Sequence, residues 1–127
     1  MNKFPLDISN GIILCKSKIM NGELGTVCKM AVDTGASYTM IAVETALSVG
    51  IDPSRARRHV EITTANGVIF VPVVKVPRFI CFGMEIKGLD IVCHNLPSES
   101  CVEGLLGLNF LKNFRIFFDF PGKSIEI

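Results

Sequence analysis

Apolar residues arrive along this chain in short runs separated by polar or glycine-containing breaks. The runs cover residues 11–20, 26–32, 59–64, 68–76, 79–82, 89–93, 115–120 and 124–127. They are rich in Val, Ile, Phe and Thr and too short for helices, so the pattern predicts strands. Turn signals stand between them at Asn21-Gly22, Asn66-Gly67, Gly88 and Pro121-Gly122. Two stretches read as helical: a turn over 43–49 ended by Gly50, and a helix over 108–113 in which Leu108, Leu111 and Phe114 are spaced to bury one face. Pro72 and Pro77 lack the N–H that a ladder needs, so their neighbourhood reads as an edge or bulged strand. The expectation is one all-β domain over 1–127, with no repeats, linkers or low-complexity segments.

Composition sharpens this picture. With 127 residues and a hydrophobic share of 49%, the chain has little volume in which to hide its apolar side chains. Some apolar surface is therefore expected to be covered by a partner. Thirteen basic and twelve acidic side chains leave a net charge of +1, which offers nucleic acid no electrostatic footprint. The one basic cluster, Arg55-Ala56-Arg57-Arg58, reads as a solvated helix end or loop. No stretch is long and apolar enough for a membrane span, and Met1-Asn2-Lys3-Phe4-Pro5 lacks an apolar signal core. The five cysteines, Cys15, Cys28, Cys81, Cys93 and Cys101, lie mostly within apolar runs and are odd in number, so they read as reduced core thiols, and the matching expectation is a cytoplasmic location. Cys93-His94 with Cys101 lacks a C-x-x-C pair and a nearby fourth ligand for zinc. Neither His59 nor His94 lies in a Cys-His hydrolase signature.

Asp33-Thr34-Gly35-Ala36-Ser37, which closes the apolar run Val27-Cys28-Lys29-Met30-Ala31-Val32, carries the chemistry. An Asp-Thr-Gly at a strand end puts a carboxylate on a sharp loop, where glycine lets the backbone turn and a hydroxyl can bond a neighbouring backbone. That is the arrangement of an aspartic peptidase. Its chemistry needs two carboxylates, one to take a proton from water and one, protonated, to bond the carbonyl under attack. The other aspartates, Asp7, Asp52, Asp90 and Asp119, are followed by Ile-Ser, Pro-Ser, Ile-Val and Phe-Pro, and none rebuilds the motif. A working site therefore calls for a homodimer, in which Asp33 faces its own copy across a two-fold axis and the pair shares a proton.

Three blocks together resemble the retropepsin-like aspartic proteases from about Gly11 to Ile127. They are Ala31-Val32-Asp33-Thr34-Gly35-Ala36-Ser37, Glu61-Ile62-Thr63-Thr64-Ala65-Asn66-Gly67-Val68-Ile69-Phe70 and Gly104-Leu105-Leu106-Gly107-Leu108-Asn109-Phe110-Leu111. The resemblance implies an acid-protease barrel with one short C-terminal helix, working as an obligate two-fold dimer on peptide or protein substrates. It also implies that Asp33, Thr34 and Gly35 form the catalytic loop and that Ala36 and Ser37 touch the substrate. The second block, with Asn66-Gly67 between β-prone runs, reads as a tight hairpin. In the family that hairpin is a flap, whose tip here would hold Thr64, Ala65, Asn66 and Gly67 over the substrate and exclude water. Retroviral members usually carry Arg after the glycine of the third block and Asp where this chain has Ser37. Here Leu108 and Ser37 replace both partners of that ion pair, so no orphan charge is buried, as expected of a cellular or bacterial branch. No metal or organic cofactor is implied, since the nucleophile is water.

Two other readings use the same residues. One is a dimerisation or peptide-binding module that keeps the shell and cuts nothing. The other is a small-ligand carrier, which is disfavoured because the polar residues converge on a loop.

Overall fold

The apolar runs fold as strands, and the structure, a computed structural model, describes every residue from Met1 to Ile127. In chain order the elements are β1 (Lys3–Pro5), β2 (Asp7–Ser9), β3 (Ile12–Asn21), β4 (Leu24–Val32), β5 (Thr39–Ile41), α1 (Val43–Ser48), a 3₁₀ turn (Pro53–Arg55), β6 (Arg58–Thr64), β7 (Gly67–Cys81), β8 (Met84–Cys93), β9 (Gly104–Leu106), α2 (Leu108–Leu111), β10 (Phe117–Asp119) and β11 (Ser124–Glu126). The fold is all-β apart from these short helical pieces.

β1, β11 and β10 form a small antiparallel sheet with β11 in the middle. The remaining strands form a sheet in the order β2-β3-β4-β9-β5-β8-β7-β6, and β3 also pairs with β7. That extra ladder, from Ser17↔Cys81 to Met20↔Arg78, closes six strands into a ring. Closure removes most free edges. Every strand of the ring contributes to the main core, including Ile19, Met30, Ile41, Val76, Ile91 and Leu106, and Phe110 of α2 plugs it from one end. The Phe110 ring meets Phe79 edge-on at 5.4 Å between centroids, a favoured aromatic geometry.

β7 shows where the sequence pattern and the tertiary structure diverge. It is a single interior strand of 15 residues, not an edge. The prolines are tolerated because each falls where one side of β7 lacks a partner. Pro72 pairs with His59 of β6 one residue before the β8 ladder begins at Val73↔Val92. Pro77 lies between the end of the β6 ladder at Val73 and the start of the β3 ladder at Arg78. Gly88, read from sequence as a turn, instead lies inside β8 opposite this gap, in the left-handed region at φ 66°. There both strands change the face they turn to the core: Val76 and Leu89 point inward, and so do Phe79 and Ile86, an odd number of residues further along. A glycine in the left-handed region and a proline without a donor permit that rotation.

The short strands β1, β2 and β5 are unannounced by the pattern, and β10 is three residues rather than the expected six. The helix prediction also needs correcting. α2 ends at Leu111, with hydrogen-bonded turns continuing to Phe114. Leu108 is 41% exposed, while Phe110 is fully buried. The basic cluster is split as well, because Arg58 opens β6 instead of staying in solvent-facing loop.

All five cysteines are free thiols, four of them buried and Cys101 partly so. Burial pushes the Cys28 thiol up to about 12, with Glu103 and Cys15 adding to the effect, and that of Cys93 up to about 11. A hydrogen bond with Cys81, together with burial, raises Cys15 well above the ordinary thiol range. Cys15, Cys28 and Cys93 are therefore protonated core groups.

The reassigned helix face gives a direct test. Phe110→Ala should lower unfolding free energy by about 3–5 kcal/mol, whereas Leu108→Ala should change it by no more than about 0.5 kcal/mol. Urea denaturation of the two variants checks this, and equal losses would contradict the packing described.

Candidate active site

Asp33 begins where β4 ends. Its backbone N–H donates to the Leu106 carbonyl at 2.9 Å, continuing the parallel β4–β9 ladder by one bond. The chain then turns sharply. The Ala36 N–H donates to the Asp33 carbonyl at 3.2 Å, and the Gly35 N–H donates to Asp33 Oδ1 at 2.9 Å. The carboxylate is thereby oriented by its own loop, and its other oxygen accepts no hydrogen bond within the chain.

The loop is fastened from behind by α2. Leu108 N–H donates to the Ala36 carbonyl at 2.8 Å and Asn109 N–H to the Ser37 carbonyl at 3.2 Å. This needs a bare backbone at Gly107, where a Cβ would lie 2.5 Å from the Tyr38 carbonyl oxygen and 2.8 Å from that of Ala36. The Gly107 N–H, buried here, donates to Thr39 Oγ1 at 3.1 Å. Thr39 in turn donates through both its N–H and its hydroxyl to Asn109 Oδ1, each at 2.8 Å, and Asn109 Nδ2 donates to the Asp90 carbonyl at 2.6 Å. Leu108 and Ser37 thus sit where backbone bonds join the two segments, and no side-chain ion pair is needed there.

Asp33 opens onto a cavity of about 410 Å³. Gly35, Ala36 and Ser37 line it beside the carboxylate. Tyr38, Met40, Ile62, Val92 and Leu105 supply apolar wall, and Glu61 and Thr63 of β6 complete it. Thr34 is exposed and its hydroxyl makes no hydrogen bond within the chain. Thr64, Ala65, Asn66 and Gly67 lie outside this cavity, at the tip of the β6–β7 hairpin. The loop residues of that hairpin are Ala65 and Asn66, closed by the pair Thr64↔Gly67, and only Gly67 has positive φ, at 115°. It is therefore not the type I′ turn that Asn-Gly favours, which needs positive φ at both central residues. The Thr64 hydroxyl stabilises it by donating to the Gly67 carbonyl at 3.0 Å and accepting from the Asn66 N–H at 3.3 Å.

The root of the hairpin is tied to the loop through charge. Arg58 donates to Asp90 at 3.1 Å and to the Tyr38 hydroxyl at 2.9 Å, and Lys75 donates to Asp90 at 3.0 Å. The bond from Lys75, joined by Arg58, holds the Asp90 carboxyl below the usual carboxylate range. Sequence reasoning missed Thr39, Asn109, Arg58 and Asp90 because the partners in these bonds are 19 to 70 residues apart. Buried Thr39 in an apolar run was the one available signal.

With this geometry in hand, residues 20–113 match the family described as "gag-polyprotein putative aspartyl protease". The chain belongs to this aspartyl protease family. Its fold is retropepsin-like: a crystal structure of a retropepsin-like aspartic protease from Rickettsia conorii superimposes with a TM-score of 0.72 at 21% identity, covering 98% of each chain. No curated protein matches the sequence. The family match spans the Asp33 loop, the β6–β7 hairpin and the Gly107 segment together.

Two measurements test the supports of this aspartyl protease loop. Thr39→Val preserves shape but strands the buried Gly107 N–H, so it should cost about 1–3 kcal/mol in urea unfolding; an unchanged midpoint would mean that this bond does not hold the loop. Asp90, with its folded-state carboxyl lowered, contributes stability that is present above the unfolded value and lost as pH falls through the folded one. Amide exchange at Val60 and Ile62 should therefore accelerate relative to the core as pH drops below about 4, and Asp90→Asn should remove that extra acceleration.

Proposed function

We propose that the protein is an aspartic endopeptidase acting as a two-fold homodimer, with water activated between Asp33 and its copy. The observation that carries this reading is the state of Asp33 within one chain. One carboxylate oxygen is held by Gly35 N–H and the other is unbonded, at the mouth of a cavity large enough for peptide side chains. Glu61, the other carboxylate lining that cavity, makes no hydrogen bond to the loop and comes from β6, not from the Asp33 turn. A second copy of the loop supplies the missing mate on the same terms as the first.

In that assembly the two carboxylates share one proton. The ionised one takes a proton from water as it attacks the scissile carbonyl, and the protonated one donates to the developing oxyanion. Each Thr34 hydroxyl, unpartnered in one chain, bonds the opposite loop, and Gly35 and Ser37 offer backbone and hydroxyl groups to the substrate. Met40, Ile62, Val92 and Leu105 make the adjoining side-chain site apolar. The β6–β7 hairpin covers the peptide, with Thr64, Ala65, Asn66 and Gly67 at its tip. Val68 and Phe70 on that hairpin and Phe117 and Phe120 at the C-terminal one are among the large exposed apolar groups available for burial against partner or substrate.

The test is incubation of the purified protein and of Asp33→Asn with a diverse peptide library between about pH 4 and 7, with new termini read by mass spectrometry and the mass in solution by light scattering. Cleavage should vanish in the variant while the dimer persists. Cleavage retained by Asp33→Asn, or by a protein that is monomeric throughout, would defeat this mechanism. No cleavage by a dimeric protein would favour the silent peptide-binding module instead.

A further inference from the structure

Outside the Asp33 site, a groove of about 500 Å³ opens on the far side of β3. Its origin is a break in the ladder. One edge of β3 pairs with β2 over Ile12–Leu14 and with β7 over Ser17–Met20, which leaves Cys15 and Lys16 between the two ladders. Through this break the Cys81 thiol reaches the Lys16 carbonyl at 3.5 Å, and Cys15 and Cys81 line the groove at that point. Phe4 and Phe82, with ring centroids 5.7 Å apart, stand beside it, and Leu14 and Ile80 extend its apolar wall.

The charge around this groove is predominantly positive, three lysines against one carboxylate, Asp7. Lys16, Lys18 and Lys29 line it on the exposed face of β3 and β4, together with Val27, which is 60% exposed. Lys16 stands directly opposite Lys29 across the ladder, and Lys18 opposite Val27. Like charges directly opposite on one sheet face are destabilising. No carboxylate forms an ion pair with them, since the ion pairs of the protein are Arg58–Asp90, Lys75–Asp90 and Arg78–Glu85. Asp7 also lines the groove but forms no ion pair with the lysines. A repulsive pair beside a concave apolar surface is what a ligand with an anionic head and an apolar tail would satisfy at both ends.

We propose that this groove binds a single-chain carboxylate amphiphile, its tail along Phe4, Leu14, Ile80 and Phe82 and its head among Lys16, Lys18 and Lys29. The volume is within the usual range for small-molecule sites, about 300–1,000 Å³, and the lysine head groups can act as point charges on a flexible stem. The site is independent of Asp33 and of peptide cleavage.

The experiment is calorimetric titration of the full chain with monomeric decanoate and with decanol, its uncharged analogue. Decanoate should bind more tightly, and rising salt should narrow the difference. Lys16→Gln/Lys29→Gln should weaken decanoate by about fivefold and leave decanol unchanged, while Lys112→Gln, on another face, should leave both unchanged. The double variant also removes the like-charge pair, so its melting temperature should not fall, which separates lost binding from lost folding. Equal binding of decanoate and decanol, or no effect of the double variant, would overturn the proposal, as would absence of binding. Binding only to phosphatidylglycerol vesicles would assign the face to a membrane surface instead. A shift in oligomeric state caused by the double variant would make it a contact between copies of this chain.

Discussion

The closeness of two backbones at Gly107 underlies the arrangement around Asp33. Because that residue has no side chain, α2 approaches the Ala36 and Tyr38 carbonyls closely enough for its amides to hold the loop from behind. The same approach brings Gly107 N–H onto the buried Thr39 hydroxyl, and Asn109 then joins Thr39 to Asp90. β5, β8, β9 and α2 are thereby coupled to a five-residue turn that would otherwise be ordinary surface loop. Rigidity of this kind is what a group needs if its partner is to come from a separate molecule, since two mobile carboxylates would not meet in one geometry.

Much of this was legible in the residues, and the boundary of what was legible is physical. The Asp33 loop, the hairpin around Asn66 and the Gly107 segment are local signals, each set by turn chemistry within a few positions. The short strands β1, β2 and β5 are not, because three residues gain strand geometry from their partners and carry little pattern of their own. Pro72 and Pro77 misled for a related reason: a missing donor excludes a strand only where a neighbour awaits it, and here the neighbouring ladders stop short. Leu108 had the spacing of a core residue, yet α2 is a single turn and Phe110 takes the inward position. In the candidate site, Gly35, Ala36 and Ser37 adjoin Asp33 through the turn itself, and the flap block was expected to cover the substrate, but which of its residues line the cavity depends on long-range pairing. Glu61, Ile62 and Thr63 reach it through the pairing of β6 with the interior strand β7.

The chain also distributes its apolar groups in two ways. One set fills the ring of six strands and leaves no buried polar side-chain atom without a hydrogen-bond partner. The other set is left in solvent at several places, including one face of the β6–β7 hairpin end, at Val68 and Phe70, and the C-terminal hairpin. A small domain with so high an apolar share cannot place everything inside, and the groups left outside lie on projecting elements, not on the ring wall alone.

Asp90 has a mechanical consequence. Beyond Val73 the β6–β7 hairpin is paired only with itself, while β7 behind that point is held by β8 and β3. The projecting part is thus a cantilever, and Asp90 grips both of its arms at the support, Arg58 on one and Lys75 on the other. Since these two contacts are solvent-exposed ion pairs, dissolved ions compete with them far more readily than with the apolar ring. The ionic medium therefore tunes the grip at the root of the arm, while the loop that bears Asp33, clamped by neutral backbone bonds, is insensitive to it.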